Sequence, residues 1–389
     1  MNPIARHPLY YSDEHEQFRK TVREFVSREI SPFINEWEEN ESFPRELYQR
    51  AAEIGLLGIG YPEELGGIPG DGFYSLVASE ELAKSGSGGL QASLLSHSIA
   101  LPPLIAEGSK ELRDRIVPEV LSGRKIMALA ITEPGGGSDV ASLKTTAVRD
   151  GDAYIVNGEK TFITSGMRAD YLTVAVRTNP AEKSARGVSL LLVEGDTPGL
   201  TRTKLDKMGW WCSDTAHLHF DNCRVNAANL IGEENSGFRA IMLNFNSERL
   251  GLAANALGFA QVCFEDAVEW ARNRQTFGAP LIQRQVIRHK LADMSMRINA
   301  TRAWVEDLTY RVEKNIGVPG DLVAQTSLLK NFATQTMQFC ADQAVQILGG
   351  MGYMRGSRVE RIYREVKVLM IGGGAEEIMK DLASRQMQL

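Results

Sequence analysis

Cysteine is scarce in this chain. Only Cys212, Cys223, Cys263 and Cys340 occur among 389 residues, far apart and with no CxxC spacing. That excludes a disulfide-stapled secreted framework and a zinc site built on paired thiols, and it predicts free thiols in a reducing compartment. No run approaches the roughly 18 to 20 apolar residues of a membrane span, so none is expected. Positive charge is not in excess either. The formal net charge is -6, whereas general nucleic-acid binding wants a basic surface. The opening MNPIARHPLYYSDEHEQF has no apolar signal core, and its acids disfavour a transit peptide. The expected location is the bacterial cytoplasm or, second, the mature mitochondrial matrix.

The remaining composition, 43% hydrophobic and 24% charged, is that of a soluble globular protein. The length calls for two or three domains or layers. Residues 1–127 read as helical: Phe18, Val22, Phe25, Val26 and Ile30 recur at helical spacing behind the start signal Ser12-Asp13. In FPRELYQRAAEIGLLGIG the pattern repeats, with Pro44 suited to a first turn. Residues 128–234 change character. DAYIVNGEKTFITSG alternates around an expected Asn-Gly turn, and DYLTVAVRT, GVSLLLVEG and AHLHFDNCRV read as further strands. From 235 to 389 the helical period returns, with blocks around 281–316 and 320–348. The expected fold class is α+β in the order α, β, α: an N-terminal helical domain, a central β domain and a C-terminal helical bundle.

Four motifs carry chemistry. TEPGGGSD offers backbone N–H groups able to cradle an anion. It is neither a P-loop nor, in an antiparallel context, a dinucleotide fingerprint. In GEKTFITSGMRAD, Phe162 and Thr164 lie two residues apart on a strand. A ring beside a hydroxyl suits a flat heteroaromatic such as a flavin. RQTFG supplies Arg274 for a phosphate, and QILGGMGY permits close backbone approach.

Each motif alone is bland. In this order, together with KMGWWCSDT, ERLGLAANALG and REVKVLMIGGGAEEIM, the chain resembles the acyl-CoA dehydrogenase family over essentially its whole length. The resemblance implies FAD, an acyl-CoA substrate oxidised to the trans-2-enoyl-CoA, and electron-transfer flavoprotein as acceptor. It implies flavin contacts from Leu129, Ile131, Thr132 and Ser138, the last also touching the thioester, and from Phe162 and Thr164. Many members carry Trp where Phe162 stands. Arg274, Thr276, Phe277, Gln285, Gln346 and Gly350 match residues that reach the FAD of a neighbouring subunit, which implies a homotetramer, a dimer of dimers. Ala375 and Glu377 match the last flavin-proximal positions, with Ala375 where Thr is common.

Many relatives place the catalytic Glu in the C-terminal loop, at the position of Gly373 here. Glycine cannot take a proton, and Glu376 and Glu377 read as first-turn acids of the following helix. One branch, including long-chain and isovaleryl-type enzymes, carries its base in a Glu-Arg pair on the first helix of the C-terminal domain. This chain has that pair, Glu248-Arg249, among apolar neighbours. Glu248 is therefore the expected base, and Gly373 the expected N–H donor to the thioester carbonyl, alongside a flavin ribityl hydroxyl. Asn246 and Arg249 match positions near CoA. Leu252 and then Asn255 should face the same cleft. Glycine at 373 is expected to free volume, favouring medium-to-long or methyl-branched acyl chains, citronellyl-CoA included. The rival readings are an O₂-using oxidase of the same superfamily and a catalytically silent flavoprotein serving assembly or binding.

Overall fold

The computed structural model describes residues 9–182 and 184–389, apart from the side chains of Leu243, Asn244 and Asn246. Its contacts divide the chain into two compact units, one combining Trp37–Pro69 with Ala92–Phe245, the other combining Met1–Glu36, Gly70–Gln91 and Asn246–Leu389. The helical stretch before residue 128 is thus shared between the two.

The first unit is built on an eight-stranded sheet. Its strands are β1 (Met127–Ala130), β2 (Thr146–Asp150), β3 (Ala153–Thr164), β4 (Tyr171–Arg177), β5 (Val188–Glu194), β6 (Leu200–Lys204), β7 (Thr215–Asn226) and β8 (Leu230–Ile231). They run in the order β6-β7-β3-β2-β4-β5-β8, with β1 parallel to β4. The unbroken apolar runs in β4 and β5 have a physical cause. Leu190 and Leu192 join a core shared with Leu101, Leu104 and Ile116, while Leu191 and Val193 join another with Val156 and Phe220. A strand buried on both faces needs no alternation.

Asn157-Gly158 is not the turn its sequence suggested. β3 runs continuously through it, with a register shift against β7 between Val156 and Gly158. Gly158 adopts φ +141, and a Cβ there would meet Thr145 Cα at 2.6 Å. The glycine serves a close strand crossing, and the hairpin from β2 turns instead at Gly151-Asp152.

In the second unit, helix Pro319–Leu348 packs against helices Gln285–Glu313, Arg358–Ile371 and Glu376–Gln386. Local signals fix the ends. Pro319 opens its helix at a position where no N–H is needed, and the Ser357 side chain accepts from Glu360 N. Helix Asp13–Phe25 starts behind Ser12 and runs on as a π-helical turn, Val26–Ile30. A buried ionic cluster joins its distant segments. Arg19 Nη1 donates to Glu80 Oε2 at 2.5 Å, Arg302 Nη1 to Glu80 Oε1 at 2.6 Å, and Tyr11 OH to Glu306 at 3.0 Å. Among the described residues, no helix is long and apolar enough to cross a membrane.

Candidate active site

Glu248 lies on helix Gly237–Asn273, and the Gly372–Gly374 turn separates helices Arg358–Ile371 and Glu376–Gln386. The structure brings the two together. A Cβ built on Gly373 would lie 3.5 Å from Glu248 Oε1. The helix-borne carboxylate therefore reaches the very place where a side chain at 373 would begin. Glu248 Oε2 is buried with no hydrogen-bond partner among the described residues. Burial pushes the carboxyl up from 4.5 to about 7, against the pull of Arg249 and Lys330. A desolvated, unpaired carboxylate poised near neutrality is what proton abstraction requires.

The turn needs its glycines. Gly373 sits at φ +66 and Gly374 at φ +116, where a Cβ would meet Met379 Cε at 2.3 Å. Its carbonyls are held from outside: Arg249 Nε donates to Gly373 O at 3.1 Å, and Lys330 Nζ donates to Met370 O at 3.1 Å and Gly374 O at 2.7 Å. Among the described residues no acceptor is found for the Gly373 N–H, which leaves it available to a ligand.

The volume expected beside Gly373 is already in use. Leu252 Cδ1 lies 2.5 Å from the built Cβ, one turn along the helix from Glu248, so the leucine has moved into the space a side chain would take. Asn255 accepts from Gln91 Nε2 at 2.5 Å, and Gln91, itself buried, keeps Oε1 without a partner. Glu376 accepts from Gln335 Nε2 at 2.9 Å and from Lys380, and both Glu376 and Glu377 lie in the first helical turn, as their sequence suggested. The side chain of Asn246 lies outside the described residues.

In the sheet unit, Leu129 lies in β1, and Ile131 and Thr132 follow the strand's last residue, Ala130. Lys160 Nζ donates to Ile131 O at 2.9 Å and to Glu133 Oε1 at 2.8 Å, while Thr161 N donates to Thr132 O at 2.8 Å. This buried pair straps the loop to β3. Burial lowers Lys160 to about 8, and Lys160 in turn helps hold Glu133 below the usual carboxylate range. A bulge between Lys160 and Ile163 then turns Phe162 to φ +61 and leaves its ring 70% exposed. Ser138 is exposed in its glycine loop and Thr164 is half-buried.

The remaining candidates sit at the surface of the helical unit. Strands Gln275–Thr276 and Ala279–Pro280 pair as a hairpin, clamped by Arg284 Nη2 on Thr276 O at 2.6 Å. At its tip Phe277 takes φ +48 and is 98% exposed. Thr276 Oγ1 is buried without a partner. Arg274, Gln285, Gln346 and Gly350 are exposed.

Comparison with known proteins now bears on these features. The model for the acyl-CoA dehydrogenase N-terminal domain matches residues 12–124, that for the middle domain 128–223, and that for the C-terminal domain 235–388. The chain belongs to the acyl-CoA dehydrogenase family. This dehydrogenase is 39% identical over 381 residues to the long-chain specific acyl-CoA dehydrogenase of Rattus norvegicus, covering 97% of this chain and 87% of that protein. It superimposes on an acyl-CoA dehydrogenase from Geobacillus kaustophilus with a TM-score of 0.93 at 38% identity, over 98% of this chain and 99% of the other. Against a glutaryl-CoA dehydrogenase from Mycobacterium smegmatis in complex with FADH2 the TM-score is 0.90 at 26% identity, covering 97% and 95%.

The dehydrogenase has the family's three-domain fold, with helical N- and C-terminal domains and a middle β domain, and is an FAD-dependent oxidoreductase. Its own residues fit that cofactor. The rings of Phe162 and Phe277 stand exposed on backbone that an L-residue adopts only under constraint, which suits a surface completed by a planar ligand. The orphaned Thr276 hydroxyl likewise awaits an outside partner. Two residues escaped the sequence reading. Lys160 and Lys330 are both fully buried cations, and the available signal was a lone lysine just before TFIT and another inside SLLKNFA.

Proposed function

We propose that this dehydrogenase removes an α proton and a β hydride from medium-to-long or methyl-branched acyl-CoA thioesters, with Glu248 as the base. The position of the Glu248 carboxylate against Gly373, unpaired and desolvated, carries the reading. FAD, when bound, supplies the hydride acceptor. Glu248 takes the α proton. The Gly373 N–H holds the thioester oxygen as negative charge develops there, which makes that proton easier to remove. Arg249 holds the Gly373 carbonyl, and with it the Gly373–Gly374 peptide that follows this N–H.

Leu252 and the apolar neighbours of Glu248 support an aliphatic acyl chain, and the rat relative is itself described as long-chain specific. Ranked by flavin bleaching and kcat/KM, medium-to-long or β-methyl-branched acyl-CoAs are expected to beat butyryl-CoA. A strong butyryl preference overturns that assignment. In the same assay the reduced enzyme should pass electrons to electron-transfer flavoprotein faster than to air. The reverse order marks an oxidase, and absence of bleaching with every thioester marks a silent flavoprotein.

We assign Arg274, Thr276, Phe277, Gln285, Gln346 and Gly350 to the FAD of a neighbouring subunit in a homotetramer. Exposed Met351, Tyr353 and Met354 near Gly350 support a covered surface there. Arg274→Ala is expected to weaken both flavin retention and the oligomer. Purified variant with full flavin occupancy and wild-type size on gel filtration counts against this. The four buried, free cysteines accord with a cytoplasmic enzyme.

A further inference from the structure

Lys330 is fully buried in the helix Pro319–Leu348. Its ammonium donates to Met370 O, near the end of one helix, and to Gly374 O, just before the next. These two carbonyls bracket the glycine turn. Among the described residues no carboxylate makes an ion pair with it. A clamp for two carbonyls does not require charge, since an amide donates as well, and burying an ammonium is costly. The charge therefore calls for a separate explanation. Burial and then Arg249 lower Lys330, Glu248 and Glu376 oppose them, and the balance leaves it at about 8. Arg249 and Lys330 are in turn the two groups that pull the Glu248 carboxyl down.

We propose that Lys330 is a positioning residue for the reaction, tying the ends of the glycine turn together and presenting a positive charge to Glu248 at neutral pH. The clamp keeps the Gly373 N–H aimed inward. The charge keeps the base partly ionised at neutral pH, although its surroundings are apolar. Three charged groups face this spot from three elements: Arg249 beside Glu248 on its own helix, Lys330 from the Pro319–Leu348 helix, and Glu376 from the last helix. Of the two cations, Arg249 donates to the Gly373 carbonyl, whereas Lys330 spans both ends of the turn.

This inference rests on Glu248 being the base, and two readouts separate the claims. The first is the infrared carboxyl band of protonated Glu248, identified by its loss in Glu248→Gln and titrated from pH 5 to 9 on the FAD-loaded enzyme. The second is the acid limb of kcat/KM. In Lys330→Met and Lys330→Gln the infrared midpoint is expected to rise by about one unit, as removal of a nearby opposite charge does. The kinetic limb should rise with it, leaving about fivefold less ionised base at pH 7. Lys330→Gln keeps donors for the clamp, so its kcat above the limb should exceed that of Lys330→Met. An unmoved infrared midpoint in a folded, flavin-replete variant overturns the proposal even if Glu248→Gln is inactive. An active Glu248→Gln overturns the base assignment instead. If neither variant folds, Lys330 serves stability alone and the proposal falls.

Discussion

Glu248→Gln is expected to retain FAD and bind acyl-CoA while losing reduction of its flavin. A positioned general base is worth about 10²–10⁴-fold, and because hydride loss is coupled to this proton transfer the decrease should reach the upper end or exceed it. The same substitution should stabilise the protein at alkaline pH. The folded-state carboxyl titrates at about 7, above its ordinary 4.5. Its favourable contribution is whole below the unfolded value and is lost as pH rises through about 7. Full ionisation costs at most about 3–4 kcal/mol, the equivalent of the rise from 4.5 to about 7. Glutamine, neutral throughout, escapes that loss. The melting-temperature difference between variant and wild type should therefore widen from pH 5 to pH 8. Stopped-flow bleaching at close to the wild-type rate would place the base elsewhere.

Returning the carboxylate to the turn should fail at first. In the Glu248→Gln background, Gly373→Glu brings a Cβ to 2.5 Å from Leu252 Cδ1 at φ +66. That backbone alone costs a non-glycine residue about 1–3 kcal/mol. Adding Leu252→Ala removes the clash. The triple variant is expected to bleach at least about tenfold faster than the double, equivalent to ~1.4 kcal/mol of barrier, and to prefer shorter, unbranched chains because the new side chain fills the pocket. Equal rates in double and triple variants would show that Leu252 does not govern the exchange.

The periodicity of the chain exposed the α, β, α order because apolar spacing survives any detail of packing. The proposed exchange of base position also starts from sequence, since Gly373 and Glu248-Arg249 both fall within recognisable motifs. What remained hidden depended on distance. Asn157-Gly158 carries the composition of a hairpin turn, yet the neighbouring Thr145 backbone needs that glycine inside a strand. Leu252 reads as one more core leucine until its proximity to Gly373 is measured. Lys330 looks like a solvated lysine on an amphipathic helix. Only tertiary structure shows that two helix ends converge on it.

The buried cluster of Arg19, Glu80 and Arg302 has a consequence in time. Arg302 lies 222 residues after Glu80, and Arg361, which donates to Ser85 O, lies 276 residues after its acceptor. At roughly 5–20 residues per second, Glu80 leaves the ribosome on the order of tens of seconds before its second cation exists. Trp37–Pro69 and Ala92–Phe245 are complete by then, so the sheet can close while the helices flanking Trp37–Pro69 wait. During that interval Glu80 and Glu81 have only the cations already made, Arg19, Arg23 and Lys84, and the face of Glu80 that will meet Arg302 stays hydrated until that residue arrives.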